Sequence, residues 1–187
     1  MTPGRGDTGA MDLKPPPGDV WADGRVVVRR SSIDGRGLFA SDDIAAESVV
    51  LVLGGRLVGS ADLADLVAAA DRRATDAAYV DSITVYEDAH LVMPPRSVVH
   101  FANHSCDPTL WHVGPYELAA RRQIRTGEEL TVDYGTNSGA SGFVMECRCL
   151  STGCRRRITS EDWRKPELQR HYAGHWTPAL QRRIERS

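Results

Sequence analysis

The four cysteines constrain this chain more than any other feature of its sequence. Cys147, Cys149 and Cys154 form a C-x-C-x4-C cluster, and Cys106 lies far upstream. Clustered thiols in a sequence without an export signal indicate metal ligands rather than disulfides. Tetrahedral zinc takes four ligands, so we expect Cys106 to complete a four-thiolate site that holds the C-terminal segment against its own loop. The alternative is that the clustered cysteines stay reduced and fill small gaps in the core.

Length and composition are those of one folded domain with appendages. The chain has 187 residues, of which 41% are hydrophobic, and this is ordinary for a globular core. No apolar run approaches a membrane span or a signal-peptide core, so we expect a soluble, cytoplasmic protein with no membrane partner. Only two of the 23 basic residues are lysines, a bias compatible with a GC-rich, actinobacterial type of genome.

Charge divides the chain into two parts. Residues 1–137 carry 20 acidic and 13 basic side chains, a net of −7, whereas residues 138–187 carry 5 and 10, a net of +5. An acidic body suits a basic peptide substrate and argues against duplex DNA binding by that part. A merely solvated acidic surface would have the same composition.

Turn residues between short apolar runs predict a mainly β domain. Residues 1–20 are poor in bulky apolar side chains, so we expect a disordered leader there, with order beginning near Trp21. The expected strands are Arg25–Arg30, Val49–Leu53, Val80–Val85, His90–Met93, Glu117–Arg122 and Glu129–Tyr134.

Three helices are expected. The first has Ser60 as its N-cap and ends near Arg73. The second begins at Pro166 and runs to about Tyr172, and the third has Thr177 as N-cap with Pro178 at its first position. The tail aromatics Trp163, Tyr172 and Trp176 are expected to pack against the body.

Three further segments are dense in functional groups. The segment Phe101–Trp111, FANHSCDPTLW, combines polar side chains with a cysteine and an Asp-Pro turn, although a strand ending at Val99–His100 and a buried cysteine would also explain it. The segment Gly35–Gly37 permits close approach of a ligand or forms a tight hairpin. The segment Glu128–Gly135, EELTVDYG, is an alternating strand that ends in Tyr134 or simply in a turn.

Together these motifs resemble those of SET-domain protein-lysine methyltransferases with a post-SET cysteine module, most closely the small stand-alone bacterial members. The matching segments, in the family's order, are DGRGLFA (Asp34–Ala40), FANHSCDP (Phe101–Pro108), GEELTVDYG (Gly127–Gly135) and CRCLSTGCR (Cys147–Arg155). The resemblance implies a β-clip fold of small sheets with a pseudoknot-like C-terminal arrangement. It divides the chain into a SET domain at 21–137 with an insert at about 60–95, a post-SET zinc segment at 138–160 and a helical tail at 161–187.

The resemblance also implies S-adenosylmethionine as methyl donor and a structural zinc ion on Cys106, Cys147, Cys149 and Cys154. Tyr134 would be the catalytic tyrosine. The implied donor-binding residues are Gly35, Arg36, Gly37, Asn103, His104, Tyr134 and, in place of a family aromatic at the position of Ile158, Trp163.

Departures from the family pattern concern the substrate channel. Val132 stands where the family has Phe or Tyr, so we expect a roomier pocket that tolerates more than one methylation. Val52 and Leu53 replace a Glu-Tyr pair, so that wall of the channel would come from Tyr79 or Tyr86. Thr109 replaces the asparagine that usually follows Asp-Pro.

The implied function is methyl transfer to lysine in a basic protein, such as a histone-like, nucleoid or ribosomal protein. The alternative is a catalytically silent SET-like protein-interaction module stapled by zinc. A third possibility is a zinc-dependent nucleic-acid binder that uses Arg155–Arg157, but this triplet is short and lacks interleaved aromatics, so a solvated face is the better interpretation.

Overall fold

The protein is represented by a computed structural model that describes residues 14–72 and 80–187. The described residues form short strands and three α-helices, named β1–β12 and α1–α3 in chain order. The strands are Trp21–Ala22, Val26–Arg30, Arg36–Ala40, Val49–Val52, Arg56–Val58, Ser82–Tyr86, Ala89–Val92, Leu110–His112, Glu117–Ala120, Glu129–Leu130, Val144–Glu146 and Arg157–Thr159. The helices are Ser60–Asp71, Pro166–His171 and Pro178–Glu185.

The strands form several small sheets. Their orders are β1-β4-β9-β8, β10-β3-β2, β5-β7-β6 and β11-β12, all with antiparallel neighbours. This arrangement confirms the mainly β fold class expected from the sequence. None of the helices in the described part of the chain is long and apolar enough to cross a membrane.

The sheets meet in one apolar core. Leu38 pairs with Val28 on one side and with Leu130 on the other. The side chains of Leu38 and Leu130 are fully buried. Leu51 and Leu118 are opposite one another in the four-stranded sheet and are buried in the same cluster. Burial of each such side chain stabilises the fold by about 1.5–3 kcal/mol.

The first helix differs from its prediction at its start. The N-cap is Gly59 rather than Ser60, because the Ser60 N–H donates to Asp88 Oδ1 at 2.9 Å and its hydroxyl lies 3.0 Å from His90 Nε2. The helix ends at Asp71, close to the predicted end near Arg73, which itself lies outside the described residues. In contrast, Thr177 is the N-cap of α3, as predicted.

The strand predicted to reach Tyr134 ends earlier, and the alternative of a strand ending at Val99–His100 is wrong. Residues Val98–Phe101 form a 3₁₀ turn, and the strand expected at Glu129–Tyr134 stops at Leu130, before a second 3₁₀ turn at Tyr134–Thr136. The reason is long-range pairing: Val132 forms parallel bridges with both His104 and Leu110. The Glu128–Gly135 segment, called the tyrosine segment below, therefore leaves its sheet after Leu130 and runs beside the Phe101–Trp111 loop.

The two ends of the described chain lie against the body. In the tail, Trp163, Tyr172 and Trp176 form a second apolar cluster, and the Thr177 N–H donates to the Thr136 carbonyl at 3.1 Å. At the other end, the carbonyls of Lys14 and Pro17 accept hydrogen bonds from the Tyr116 hydroxyl and the Gly55 N–H. Residues 1–13 of the expected leader lie outside the described residues.

Candidate functional site

Tyr134 occupies the junction between the tyrosine segment and the Phe101–Trp111 loop. Its hydroxyl donates to the Ala102 carbonyl at 2.7 Å, and its N–H donates to His104 Nδ1 at 3.1 Å. Asp133 caps the 3₁₀ turn by accepting from the Gly135 N–H at 2.9 Å. Both the backbone and the side chain of Tyr134 are thus fixed by residues remote in sequence.

A cavity of about 730 Å³, called the chamber below, opens beside the Tyr134 side chain. Its walls come from α1, from residues 80–84 and from residues 137–143, and they are mainly apolar. Val132 and Tyr134 both line it. The chamber is therefore the space available to a side chain that approaches Tyr134.

The sequence analysis named Tyr79 and Tyr86 as candidates for an aromatic wall of the substrate channel. Tyr79 lies outside the described residues, and Tyr86 packs against the main core without lining the chamber. Phe143, which the sequence analysis did not select, does line it. Its signal was available, since Phe143 is an isolated aromatic directly after the small-residue run Ser138–Gly142.

The Gly35–Gly37 segment, called the glycine loop below, leads into β3 and is held by hydrogen bonds from Asn103. The Asn103 side-chain amide donates to the carbonyls of Asp34 and Arg36 at 3.2 and 3.1 Å, and to Glu129 Oε1 at 2.8 Å. A Cβ on Gly37 would stand 2.1 Å from Glu129 Oε1, so a larger residue there would require the Glu129 side chain to move. Gly35 has φ +41° and open space where a Cβ would lie.

This loop and the chamber are lined by different residues. Among the described residues that line the chamber, none belongs to Gly35–Gly37, and neither Asn103 nor His104 does. Tyr134 is linked to the glycine loop through His104 and its neighbour Asn103, and its side chain lines the chamber. Tyr134 thus connects the two regions.

His104 links Tyr134 to the cysteines. Burial lowers the pKa of His104 to about 4, so the ring is neutral at pH 7. Nδ1 accepts from the Tyr134 N–H, which assigns the ring proton to Nε2. Nε2 lies 3.4 Å from Cys106 Sγ and is placed to donate to that sulfur.

The four cysteines are brought together, and no disulfide joins them. Cys147 Sγ lies 3.7 Å from Cys106 Sγ and 3.6 Å from Cys154 Sγ. Thiolates around a tetrahedral zinc, with Zn–S near 2.3 Å, are about 3.8 Å apart. The ligand atoms of His104, Cys106, Cys147 and Cys149 all lie within 4.8 Å of one another, so this cluster could hold a metal ion.

The surroundings of the cluster perturb its thiols in different directions. Burial raises the pKa of Cys106 to about 11 and also raises that of Cys147. Burial acts in the same direction on Cys149, but the Cys106 N–H and the Ser151 hydroxyl outweigh it and lower the pKa of Cys149 to about 6. Ligation by thiolates would displace the remaining protons.

A buried ionic network, called the Asp133 network below, supports the Tyr134 turn. Arg155 donates two hydrogen bonds of 2.6 Å to the Asp133 carboxylate, and the Tyr172 hydroxyl donates a third at 2.8 Å. Asp162 also faces Arg155, at 3.2 Å. Although burial opposes ionisation, these donors keep the pKa of Asp133 below its usual range. The sequence analysis did not predict this network.

Trp163 occupies a different environment from the other candidate donor-binding residues. It is 6% exposed within the tail cluster, with the Arg164 guanidinium 4.3 Å from its ring centroid. Arg36, by contrast, is exposed, and its guanidinium lies 4.8 Å from the Phe101 ring centroid beside the glycine loop. The structure thus groups Arg36 with Asn103 and places Trp163 among packing residues.

Comparison with known proteins identifies the family. A family model described as SET domain matches residues 35–135, which is more than half of the chain. The chain belongs to the SET-domain family. The matched region of this SET domain contains the glycine loop, Asn103, His104 and Tyr134, and it ends before the Cys147–Cys154 segment.

Relatives of this SET domain include proteins named histone-lysine N-methyltransferases. Histone-lysine N-methyltransferase SUV39H1 of Xenopus laevis is 27% identical over 71% of this chain and 39% of its own length. Histone-lysine N-methyltransferase trithorax of Drosophila virilis is 32% identical over 71% of this chain and 4% of its own length. The human histone-lysine N-methyltransferase 2B is 30% identical over 70% of this chain and 5% of its own length. The chain spans less than half the length of these relatives.

Proposed function

We propose that this SET domain transfers methyl groups from S-adenosylmethionine to the ε-amine of lysine in a protein substrate. The observation that carries the proposal is that Tyr134 lines the chamber while its N–H is held by His104, whose neighbour Asn103 binds the glycine loop. The names of the relatives support the same activity. The acidic body, with a net charge of −7 over residues 1–137, favours a basic substrate such as a histone-like, nucleoid or ribosomal protein.

The methyl donor would bind at the glycine loop. S-adenosylmethionine, when bound, supplies a methyl group on a sulfonium centre. Gly35 leaves open space at its Cα, and Asn103 fixes the adjacent carbonyls of Asp34 and Arg36. His104 holds the Tyr134 backbone at the edge of this loop. These residues would bind and orient the donor. Trp163 is a weaker candidate for donor binding because it is buried in the tail cluster.

The chamber suits a lysine that must lose its proton before it reacts. The amine is nucleophilic only when neutral, and its ordinary pKa is about 10.4. Apolar walls such as Leu53, Ile83 and Val132 disfavour the ammonium form by desolvation. The Tyr134 hydroxyl, positioned by Ala102 at 2.7 Å, would orient the amine, and positioning would supply much of the acceleration.

We propose a structural zinc ion held by Cys106, Cys147, Cys149 and Cys154. The choice of Cys154 rather than His104 follows from the proton on His104 Nε2, because a protonated ring nitrogen cannot ligate a metal. His104 would instead donate to the Cys106 thiolate across 3.4 Å. A hydrogen bond donated to a metal-ligating residue fixes the orientation of that residue and adjusts the affinity of the site for its metal.

A first experiment compares the wild type with Tyr134→Phe. Transfer of labelled methyl from S-adenosylmethionine to histones and basic peptides is expected, with a fall of roughly 100-fold or more in kcat for the mutant, in line with the contribution of a positioned catalytic group. Donor affinity of both proteins, measured by calorimetry, is the control. Tight donor binding without transfer to any lysine would favour the alternative, a catalytically silent interaction module.

A nucleic-acid interface at Arg155–Arg157 has less support. Arg155 points into the Asp133 network and its side chain is only 13% exposed. The guanidinium is thus committed to two buried carboxylates, Asp133 and Asp162. Arg155 is therefore not available to a nucleic-acid phosphate.

A further inference from the structure

The chamber is larger than a single lysine stem requires. Lysine carries its charge on a narrow, unbranched four-carbon chain, whereas the chamber holds about 730 Å³. Volumes of about 300–1,000 Å³ are typical of pockets that enclose whole small-molecule ligands. Space therefore remains beside Tyr134 after a lysine has entered.

Part of the chamber wall is apolar and is formed by α1. Leu63 and Val67 lie one helical turn apart on this helix, and both line the chamber together with Phe143. Leu63 is buried, whereas Val67 is 40% exposed at the rim of the chamber. An aliphatic group entering here would be removed from water on several sides.

The charged residues that line the chamber, among those described, are both acidic. They are Asp71 at the end of α1 and Asp81 just before β6. Asp81 faces His100 at 3.2 Å, and burial raises the pKa of this carboxyl. Asp71 is exposed and is available to a cationic group that flanks the apolar one.

We propose that the chamber binds an aliphatic side chain adjacent to the target lysine and thereby selects substrates in which a Leu, Ile, Val or Met neighbours that lysine within a basic segment. Burial of one such side chain is worth about 1.5–3 kcal/mol, enough for a preference of tenfold or more. This inference rests on the proposed function, since it concerns the occupant of the same site.

The test uses fluorescein-labelled basic peptides of the form Arg-Xaa-Lys-Xaa-Arg, in which each Xaa is in turn Leu, Ala or Asp. Binding to the full chain is measured by anisotropy, and methylation is followed by mass spectrometry. A Leu peptide is expected to bind at least tenfold more tightly than its uncharged Ala counterpart at one of the two positions, and the Asp peptide shows how much charge repulsion from Asp71 and Asp81 contributes. Equal affinities of the Leu and Ala peptides at both positions would overturn the inference.

The rim residue Val67 offers a matched pair of variants. Val67→Glu is expected to remove the preference for Leu, whereas Ala68→Glu adds the same charge at an exposed position of α1 that does not line the chamber and should retain it. Retention of the preference by Val67→Glu would contradict the assignment.

Binding and turnover separate this inference from the proposed function. A Leu preference in binding without any methylation would leave the chamber assignment in place and count against catalysis. Methylation at equal rates for Leu and Ala peptides, with equal affinities, would support catalysis and overturn the chamber assignment.

Discussion

At the scale of single residues, Val132 has two roles that depend on different atoms. Its backbone bridges to His104 and Leu110, and its side chain lines the chamber beside Tyr134. A substitution that keeps the backbone pairing therefore changes mainly the space beside Tyr134. If the proposed function holds, Val132 is the direct test of how many methyl groups the site accepts.

Val132→Phe is expected to confine the product to monomethyl-lysine, because a ring at this position fills the space that added methyl groups would occupy. Overpacking costs about 1–3 kcal/mol of stability, so the thermal transition is measured beside the product spectrum. Val132→Ile, which keeps β-branching, is the control and should preserve higher methylation. A wild type that yields only monomethyl-lysine would contradict the roomier pocket.

At the scale of elements, the Tyr134 turn is held by segments that follow it in the chain. Arg155, next to Cys154, and Tyr172, at the end of α2, both donate to the Asp133 carboxylate. Asp133 in turn caps the turn that carries Tyr134. The cysteine segment and the tail are thus parts of the scaffold of the candidate site.

Tyr172→Phe removes the hydroxyl that donates to Asp133 at 2.8 Å while keeping the ring in the tail cluster. The expected loss of stability is about 1.5–3 kcal/mol, because the acceptor is charged and buried. It should be accompanied by a fall in kcat with little change in KM. Urea denaturation and steady-state kinetics measure the two effects.

Tyr116→Phe is the matched control for that prediction. The Tyr116 hydroxyl donates to the Lys14 carbonyl, outside the Asp133 network. This variant should lose about 0.5–1.5 kcal/mol, as for a neutral hydrogen bond, and keep kcat. Equal kcat values for the two variants would show that Tyr172 serves packing alone.

At the scale of the whole molecule, the cysteine cluster closes a long loop between Cys106 and the Cys147–Cys154 segment. Removal of the proposed zinc with a chelator is expected to lower the thermal transition, and one equivalent of added zinc should restore it, since metal bound only to the folded state stabilises it. A zinc-free protein with an unchanged transition would favour cysteines that merely fill the core.

Acid stability should depend on His112, which is 1% exposed. Burial lowers the pKa of His112 to about 4. Between pH 6.5 and 4 the unfolded chain therefore binds more protons than the folded one, so stability is full above pH 6.5 and falls as the pH drops, by roughly 3 kcal/mol at most.

His112→Gln tests that prediction by the slope rather than by the absolute stability. Glutamine retains a polar side chain opposite the Asn137 amide, which lies 3.4 Å from His112 Nε2, and it does not titrate. Denaturation at several pH values should give a shallower slope between pH 4 and 6.5 than the wild type gives. Identical slopes would contradict the assignment of this proton uptake to His112.

The sequence by itself determined the features that depend on local chemistry. Short alternating segments predicted the mainly β fold, and Thr177 before Pro178 predicted the start of α3 because the signal lies within one turn of the helix. The motifs around Asn103, His104 and Tyr134 predicted membership of the SET-domain family. The thiol count predicted that Cys106 joins the later cysteines, as they do here.

Only the tertiary structure decided which remote groups meet. Ser60 is diverted from capping by Asp88 and His90, and no local pattern announces that competition. The Asp133 network and the place of Phe143 likewise depend on how the chain returns past Tyr134. The physical reason is that capping and alternation are short-range preferences, whereas a buried ion pair or a chamber wall is selected by burial among residues that the sequence keeps far apart.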